Sequence, residues 1–270
     1  MPEYPEIYAR TQEMKSALVG KSIQSIEVLQ PKSLNIPKED FTRSLTGAKI
    51  VDISQRGKWI FVETTQAWLL LNLGMGGEIL LVTPETLPEK YRLCFDFEDG
   101  TSLAINFWWF GYAHCVGLDD LEQHAPTAKL GPNVLELSHE DWYRLLGGQR
   151  KAVKTFLLDQ SNVAGIGNAY IHDILFLARV HPQRKLNTLS SADVDALIQA
   201  VHDRLQPAVD KGGAFYEVNL FGEKGGFLME DILIGYREGQ PCPNCGTAIE
   251  KIKTGSTSSF ICPNCQPLEV

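Results

Sequence analysis

The chain has no apolar run approaching the roughly 18 residues that a membrane-spanning helix needs, so no such helix is expected. Its start, Met1-Pro2-Glu3-Tyr4-Pro5, lacks the basic region and apolar core of a secretory leader. A soluble protein of a reducing compartment is the expectation. No internal repeat or low-complexity tract is present, which argues against a solenoid. Cysteine is scarce outside one array, and the two strays, Cys94 and Cys115, read as free core thiols. Positive charge is also short: 25 Lys and Arg stand against 33 Asp and Glu, a formal net charge of −8. That balance argues against a polyanionic partner only if charge is spread evenly. A compact chain of this length has a radius near ~18 Å, about twice the Debye length of ~8–10 Å in physiological salt. Acids on a far face therefore barely oppose a basic groove. Candidate basic clusters are Arg150, Lys151 and Lys154, then Arg56 and Lys58, then Lys251 and Lys253. Each taken alone also reads as a solvated face.

The strongest signal present is the remaining four cysteines. Cys242, Cys245, Cys262 and Cys265 form a C-x2-C-x16-C-x2-C array, the spacing of two thiolate pairs closing on one zinc ion. Four protein ligands leave no open coordination position, so the metal is expected to be structural. The intervening residues read as a β-hairpin, with Thr247-Ala248-Ile249 and Ser259-Phe260-Ile261 as its strands.

With 270 residues, 44% of them hydrophobic, the chain is long enough for two domains and a ribbon. Ile7, Met14 and Leu18 share a helical face that stops at Gly20. From Ser22 to about Val116 the pattern is short β runs, with Asp99-Gly100 marking a hairpin, so this half reads as a β-sandwich or barrel. Past Pro126 the texture is helical, over Asp141 to Leu146, Lys151 to Gln160, Asn168 to Leu177 and Ala192 to Ala208. The loop Gly165-Ile166-Gly167-Asn168 has two readings. Exposed amides with Asn168 would suit a phosphate, and an ordinary helix-helix turn would look the same.

Several motifs then fall in one order. They are Met1-Pro2-Glu3-x-Pro5-Glu6, Arg56-Gly57-Lys58, Leu73-Gly74-Met75, Leu157-Leu158-Asp159-Gln160, Gly165-Ile166-Gly167-Asn168-x-Tyr170, His181-Pro182 and the cysteine ribbon. In this order they resemble the bacterial formamidopyrimidine-DNA glycosylases and endonuclease VIII over nearly the whole length, and the formamidopyrimidine branch more closely. The resemblance implies an α+β fold in three parts. These are an N-terminal β-sandwich with its helix (1–125), a helical domain with a helix-two-turn-helix motif (126–235) and a zinc hairpin (236–270). It also implies a monomeric bacterial cytoplasmic enzyme of base excision repair, acting on duplex DNA with damaged bases or abasic sites.

By the same resemblance, the secondary amine of Pro2, once Met1 is removed, attacks the sugar C1′ of a flipped nucleotide, and Glu3 moves protons. Lys58 and Asn168, with the Gly167 loop, hold phosphates. Lys154 and Lys253 are further expected DNA contacts. On the residues alone, without the other motifs, Pro2-Glu3 reads first as a helix start.

The departures concern lesion recognition. Where the family reads Asp-Pro-Arg-Arg-Phe-Gly, this chain has Asn106-Phe107-Trp108-Trp109-Phe110-Gly111, so the arginine that reaches the opposite base is missing. Met75, Trp108, Trp109 and Phe110 are the expected fillers of the vacated space, and one of the two tryptophans is expected to face the core. The family's hairpin arginine is Thr257 here, with Lys253 as a candidate substitute. The family's Thr-Thr-Leu-Arg-Asp-Phe becomes Ala214-Phe215-Tyr216-Glu217-Val218-Asn219, a histidine becomes Asn72 and a glutamate Asp173. The expected activity is thus glycosylase plus abasic-site lyase with altered specificity. The rival is a catalytically weak relative that binds damaged or abasic DNA.

Overall fold

The computed structural model describes residues 1–255 and 257–268. The chain divides into two compact units, residues 1–129 with 211–226, and residues 130–210 with 227–270.

The first unit opens with helix α1 (Tyr4–Leu18), where Pro5 lies in the first turn and suits a position whose N–H has no helical partner. Its remaining elements are β1 (Ile23–Val28), α2 (Lys38–Leu45), β2 (Ile50–Arg56), β3 (Trp59–Thr64), β4 (Ala67–Asn72), β5 (Glu78–Val82), β6 (Leu93–Phe97), β7 (Ser102–Asn106), β8 (Tyr112–Gly117) and α3 (Ala125–Ala128). They form two antiparallel four-stranded sheets, ordered β1-β6-β7-β5 and β2-β3-β4-β8. One core draws Phe95, Ile105 and Ile79 from the first sheet, Ile53, Ile60 and Leu71 from the second, and Met14 and Leu18 from α1. This is the expected sandwich, and Asp99-Gly100 does turn the β6–β7 hairpin, with Gly100 at φ +83°. Cys94 and Cys115 are free and buried, and burial pushes their thiols up to about 12 and about 11.

The boundary drawn from sequence at 126–235 differs from the packing for residues 211–226. Backbone N–H groups of that segment bind side chains of α1: Ala214 donates to Glu6 at 3.0 Å and Leu220 to Glu13 at 2.8 Å. Both glutamates are on a helix distant in sequence, so the linkage is invisible to local pattern.

The second unit carries α4 (His139–Leu146), α5 (Val153–Leu158), α6 (Ile171–Leu177), α7 (Ser191–Asp210) and the hairpin β9 (Glu250–Thr254) and β10 (Thr257–Ile261). A capping box between Ser138 and Asp141 starts α4. The hairpin's first strand lies three residues later than expected. Residues 247–249 instead pair with 240–242, the Cys242 N–H donating to Thr247 O at 2.8 Å and Ile249 to Gln240 at 2.9 Å. The cysteine turn needs those partners, so the long strand begins only at Glu250.

Candidate active site

Pro2 and Glu3 lie at the entrance to α1, and both are buried. Glu3 is the N-cap, and its backbone N–H donates to Glu6 Oε2 at 2.8 Å. Glu6 therefore holds Glu3 with one oxygen and Ala214 with the other. Gly213, at φ +92°, is required there because a Cβ would lie 2.7 Å from Glu6 Cγ. The sequence marked Glu6 only as part of a motif, and its bridging role belongs to the fold.

A cavity of about 290 Å³ opens beside the N-terminus, between the Met75-Gly76-Gly77-Glu78 turn and the Tyr216-Glu217-Val218 segment. The Met1 amine is 4.0 Å from Glu217 Oε1. Burial, its largest influence, pushes the Glu217 carboxyl up to about 7. The terminal amine and Arg10 pull it down, and Glu6 and Glu3 push it up.

Lys58 sits in the β2–β3 turn, half-buried, after Gly57 at φ +58°. Asn72, which replaces the family histidine, ties this turn to the next. Its Nδ2 donates to Lys58 O at 3.0 Å and its Oδ1 accepts from Gly74 N–H at 3.0 Å. Gly74 cannot carry a side chain, since a Cβ would stand 1.4 Å from Phe110 O. The Leu-Gly-Met turn is thus pressed against the tryptophan loop.

In that loop both tryptophans face solvent, Trp108 at 80% and Trp109 at 76% exposure, which corrects the expectation that one enters the core. Strand β7 ends at Asn106, and Phe107 takes the inward position, its ring against Gly111. Met75 and Phe110, at 41% and 39%, complete an exposed apolar set within this unit. Such a set marks a contact surface rather than a core.

In the second unit the Gly165–Asn168 loop is less open than expected. Gly165 and Gly167 are buried, and the Gly165 N–H donates to Gln160 Oε1 at 2.9 Å, so that amide is not on offer to a phosphate. Asn168 is half-buried, its backbone carbonyl accepting from the Tyr236 hydroxyl at 3.4 Å, and its Oδ1 has no partner among the described residues. Asp173 is fully enclosed, accepting from the N–H groups of Leu233, Ile234 and Gly235 at 2.9, 2.9 and 3.0 Å. Arg204 reaches the same carboxylate at 2.8 Å. Neither Asp173 nor Arg204 carried an anchoring signal in the sequence.

Lys154 does not present its charge on the surface: it is 2% exposed. Its ammonium donates to Ser258 O at 2.6 Å, Ser259 Oγ at 2.9 Å and Thr254 Oγ1 at 3.3 Å, holding the hairpin tip. Lys253 is exposed on the hairpin.

The four array cysteines place their sulfurs within 4.8 Å of one another, with Cys242–Cys265 at 3.8 Å and Cys245–Cys262 at 3.5 Å. A tetrahedral zinc with Zn–S bonds of ~2.3 Å sets sulfurs about 3.8 Å apart. The residues fit that ion, whose role is to tie the hairpin's base to Phe176, Ile234 and Phe260 in one small core. No helix among the described residues is long and apolar enough to cross a membrane.

The same parts recur in known proteins. The formamidopyrimidine-DNA glycosylase N-terminal domain matches residues 1–106, the glycosylase H2TH domain residues 130–219, and a zinc finger found in FPG and IleRS residues 239–268. The formamidopyrimidine-DNA glycosylase of Streptococcus pneumoniae is 35% identical, covering 98% of this chain and 99% of its own, and that of Bacillus subtilis 33%, with the same coverage. The Lactococcus lactis Fpg in complex with abasic-site DNA superposes with a TM-score of 0.89 at 29% identity, over 98% of this chain and 99% of that one. With all three domains matched in order and the curated relatives spanned end to end, the chain belongs to the formamidopyrimidine-DNA glycosylase family, DNA-repair enzymes that join glycosylase to abasic-site lyase activity.

Proposed function

We propose that this chain excises damaged bases from duplex DNA and cleaves the resulting abasic site through a Schiff base on Pro2. The observation that carries the reading is the placement of Pro2 and Glu3 at the head of α1, with the chain terminus bordering the cavity. Removal of Met1 converts the Pro2 nitrogen from an amide to a secondary amine. An α-amino group titrates near ~7.7–8.0, so much of it is neutral and nucleophilic at physiological pH. Attack on C1′ forms the N–C1′ bond and breaks the bond to the base, which leaves with the bonding pair and takes a proton from solvent. Glu3 takes the proton released from nitrogen and returns it to the sugar ring oxygen, which opens to the iminium. That iminium acidifies the neighbouring sugar carbon, and β-elimination cuts the strand. Lys58 and Asn168 each supply a phosphate contact.

The altered motifs support a changed lesion preference. The exposed Trp108 and Trp109 stand where the family carries the arginine that reads the opposite base. An indole stacks on any base but lacks the paired donors of a guanidinium.

Borohydride trapping on abasic-site DNA tests the proposal, with mass spectrometry first establishing that Met1 is gone. A covalent adduct is expected, and Pro2→Gly should lose most of it. Native protein that binds this DNA without any adduct would refute the reading in favour of a catalytically weak binding relative.

A further inference from the structure

The cavity beside the N-terminus has an acidic lining. Glu78 and Glu217 both border it, and among the described residues none of its lining side chains is basic. Glu217 occupies the place that holds arginine in the family pattern, so a titratable acid stands where the family has a cation. Its side chain is 13% exposed, held in the wall rather than free in solvent. Arg10 acts on Glu217, yet its guanidinium is engaged by Glu13 at 2.6 Å. Among the described residues the Glu78 carboxylate has a neutral contact in Asn106, whose Nδ2 lies 3.4 Å from its Oε1.

A base flipped into a pocket is read by the polar groups it meets there. Carboxylates repel acceptor edges and favour positive charge or N–H donors. We propose that the pocket selects purines made cationic by alkylation of a ring nitrogen, with Glu217 facing the ring charge and Glu78 reinforcing it. The inference rests on the Pro2 reading above and names the substrate class of that site. The chemistry is consistent with it. When the Pro2 amine bonds to C1′, the C1′–N9 electron pair passes into the ring and cancels its charge, so the purine leaves neutral with no proton donor. The proton released from the amine follows the route through Glu3 to the ring oxygen.

The titration of Glu217 agrees in sign. Its carboxyl, held near 7 chiefly by burial, sits among the terminal amine, Arg10, Glu3 and Glu6. A bound cation acts as the amine does and favours the carboxylate, so selectivity should strengthen as pH rises.

The test is single-turnover excision by the full chain, with Met1 removal verified, on one duplex sequence. It carries N7-methylguanine, 8-oxoguanine or an abasic site, and the protein-free depurination rate is subtracted. A hydrogen bond to a charged group corresponds to roughly 10- to 150-fold, and N7-methylguanine should be favoured by a ratio in that range. Glu217→Arg should shift preference toward 8-oxoguanine, and Glu217→Gln should shrink the ratio without reversing it. Should Glu217→Arg fail to fold, the wild-type ratio and the Gln variant decide. Wild-type protein that traps on abasic DNA yet removes 8-oxoguanine at least as fast as N7-methylguanine overturns this inference alone. Failure to trap at all overturns the Pro2 reading and this one with it.

Discussion

Lys154 lies beneath the zinc hairpin and donates to the carbonyl of Ser258 at 2.6 Å, more than a hundred residues away in sequence. A charge expected to face DNA instead fastens the element that carries Lys253. Burial pulls the Lys154 ammonium down to about 8. The folded state therefore binds this proton less tightly than the unfolded chain, where lysine titrates near ~10.4. Below about pH 8 the buried charge is a cost in full, and between about 8 and 10.4 the cost is relieved, so this group's contribution to stability rises with pH. Lys154→Met should remove that rise. Urea unfolding of both proteins at several pH values across the window checks it, and equal pH slopes would contradict it.

Asp173 and Arg204 form a second hidden anchor. Both are enclosed, with side-chain exposures of 1% and 8%. Asp173→Asn leaves the guanidinium without its counter-charge, and breaking one side of a buried pair costs roughly 3–5 kcal/mol. Arg204→Met in that background should recover part of the loss. Denaturant midpoints of the single and double variants measure it.

Zinc should be structural. Cys262→Ala, or chelation of the wild type, is expected to abolish bound metal on elemental analysis and to weaken DNA binding. The β-sandwich unit has its own core, and its tryptophan fluorescence should survive. Metal-free native protein would refute the claim.

Trp108 and Trp109 should flatten opposite-base choice. A bidentate arginine discriminates by about 1–3 kcal/mol, roughly 5- to 150-fold, whereas aromatic stacking is nearly blind to base identity at about 1–3 kcal/mol per base. Excision of one lesion opposite C, A, G or T should therefore vary little, and Trp108→Ala or Trp109→Ala should weaken all four alike. A strong cytosine preference would mean that another side chain reads the partner base.

The sequence by itself determined the elements whose cause is local. The Ile7, Met14, Leu18 periodicity specifies α1, Asp99-Gly100 specifies its hairpin, and C-x2-C spacing specifies a four-sulfur site, because each depends on neighbours a few residues apart. The ordered motifs located Pro2, Glu3, Lys58 and Asn168 as candidates for the same reason. Only the tertiary structure decided where long-range partners meet. It turned both tryptophans outward because Phe107 fills the inward place. It buried Lys154 under a distant hairpin and drew 214–220 onto Glu6 and Glu13. It also set Glu217 4.0 Å from the chain's first amine. These contacts join residues roughly a hundred or more positions apart, or hinge on which of several adjacent aromatic rings the core has room to take. A linear pattern names the groups able to bond, and the packed fold chooses among them.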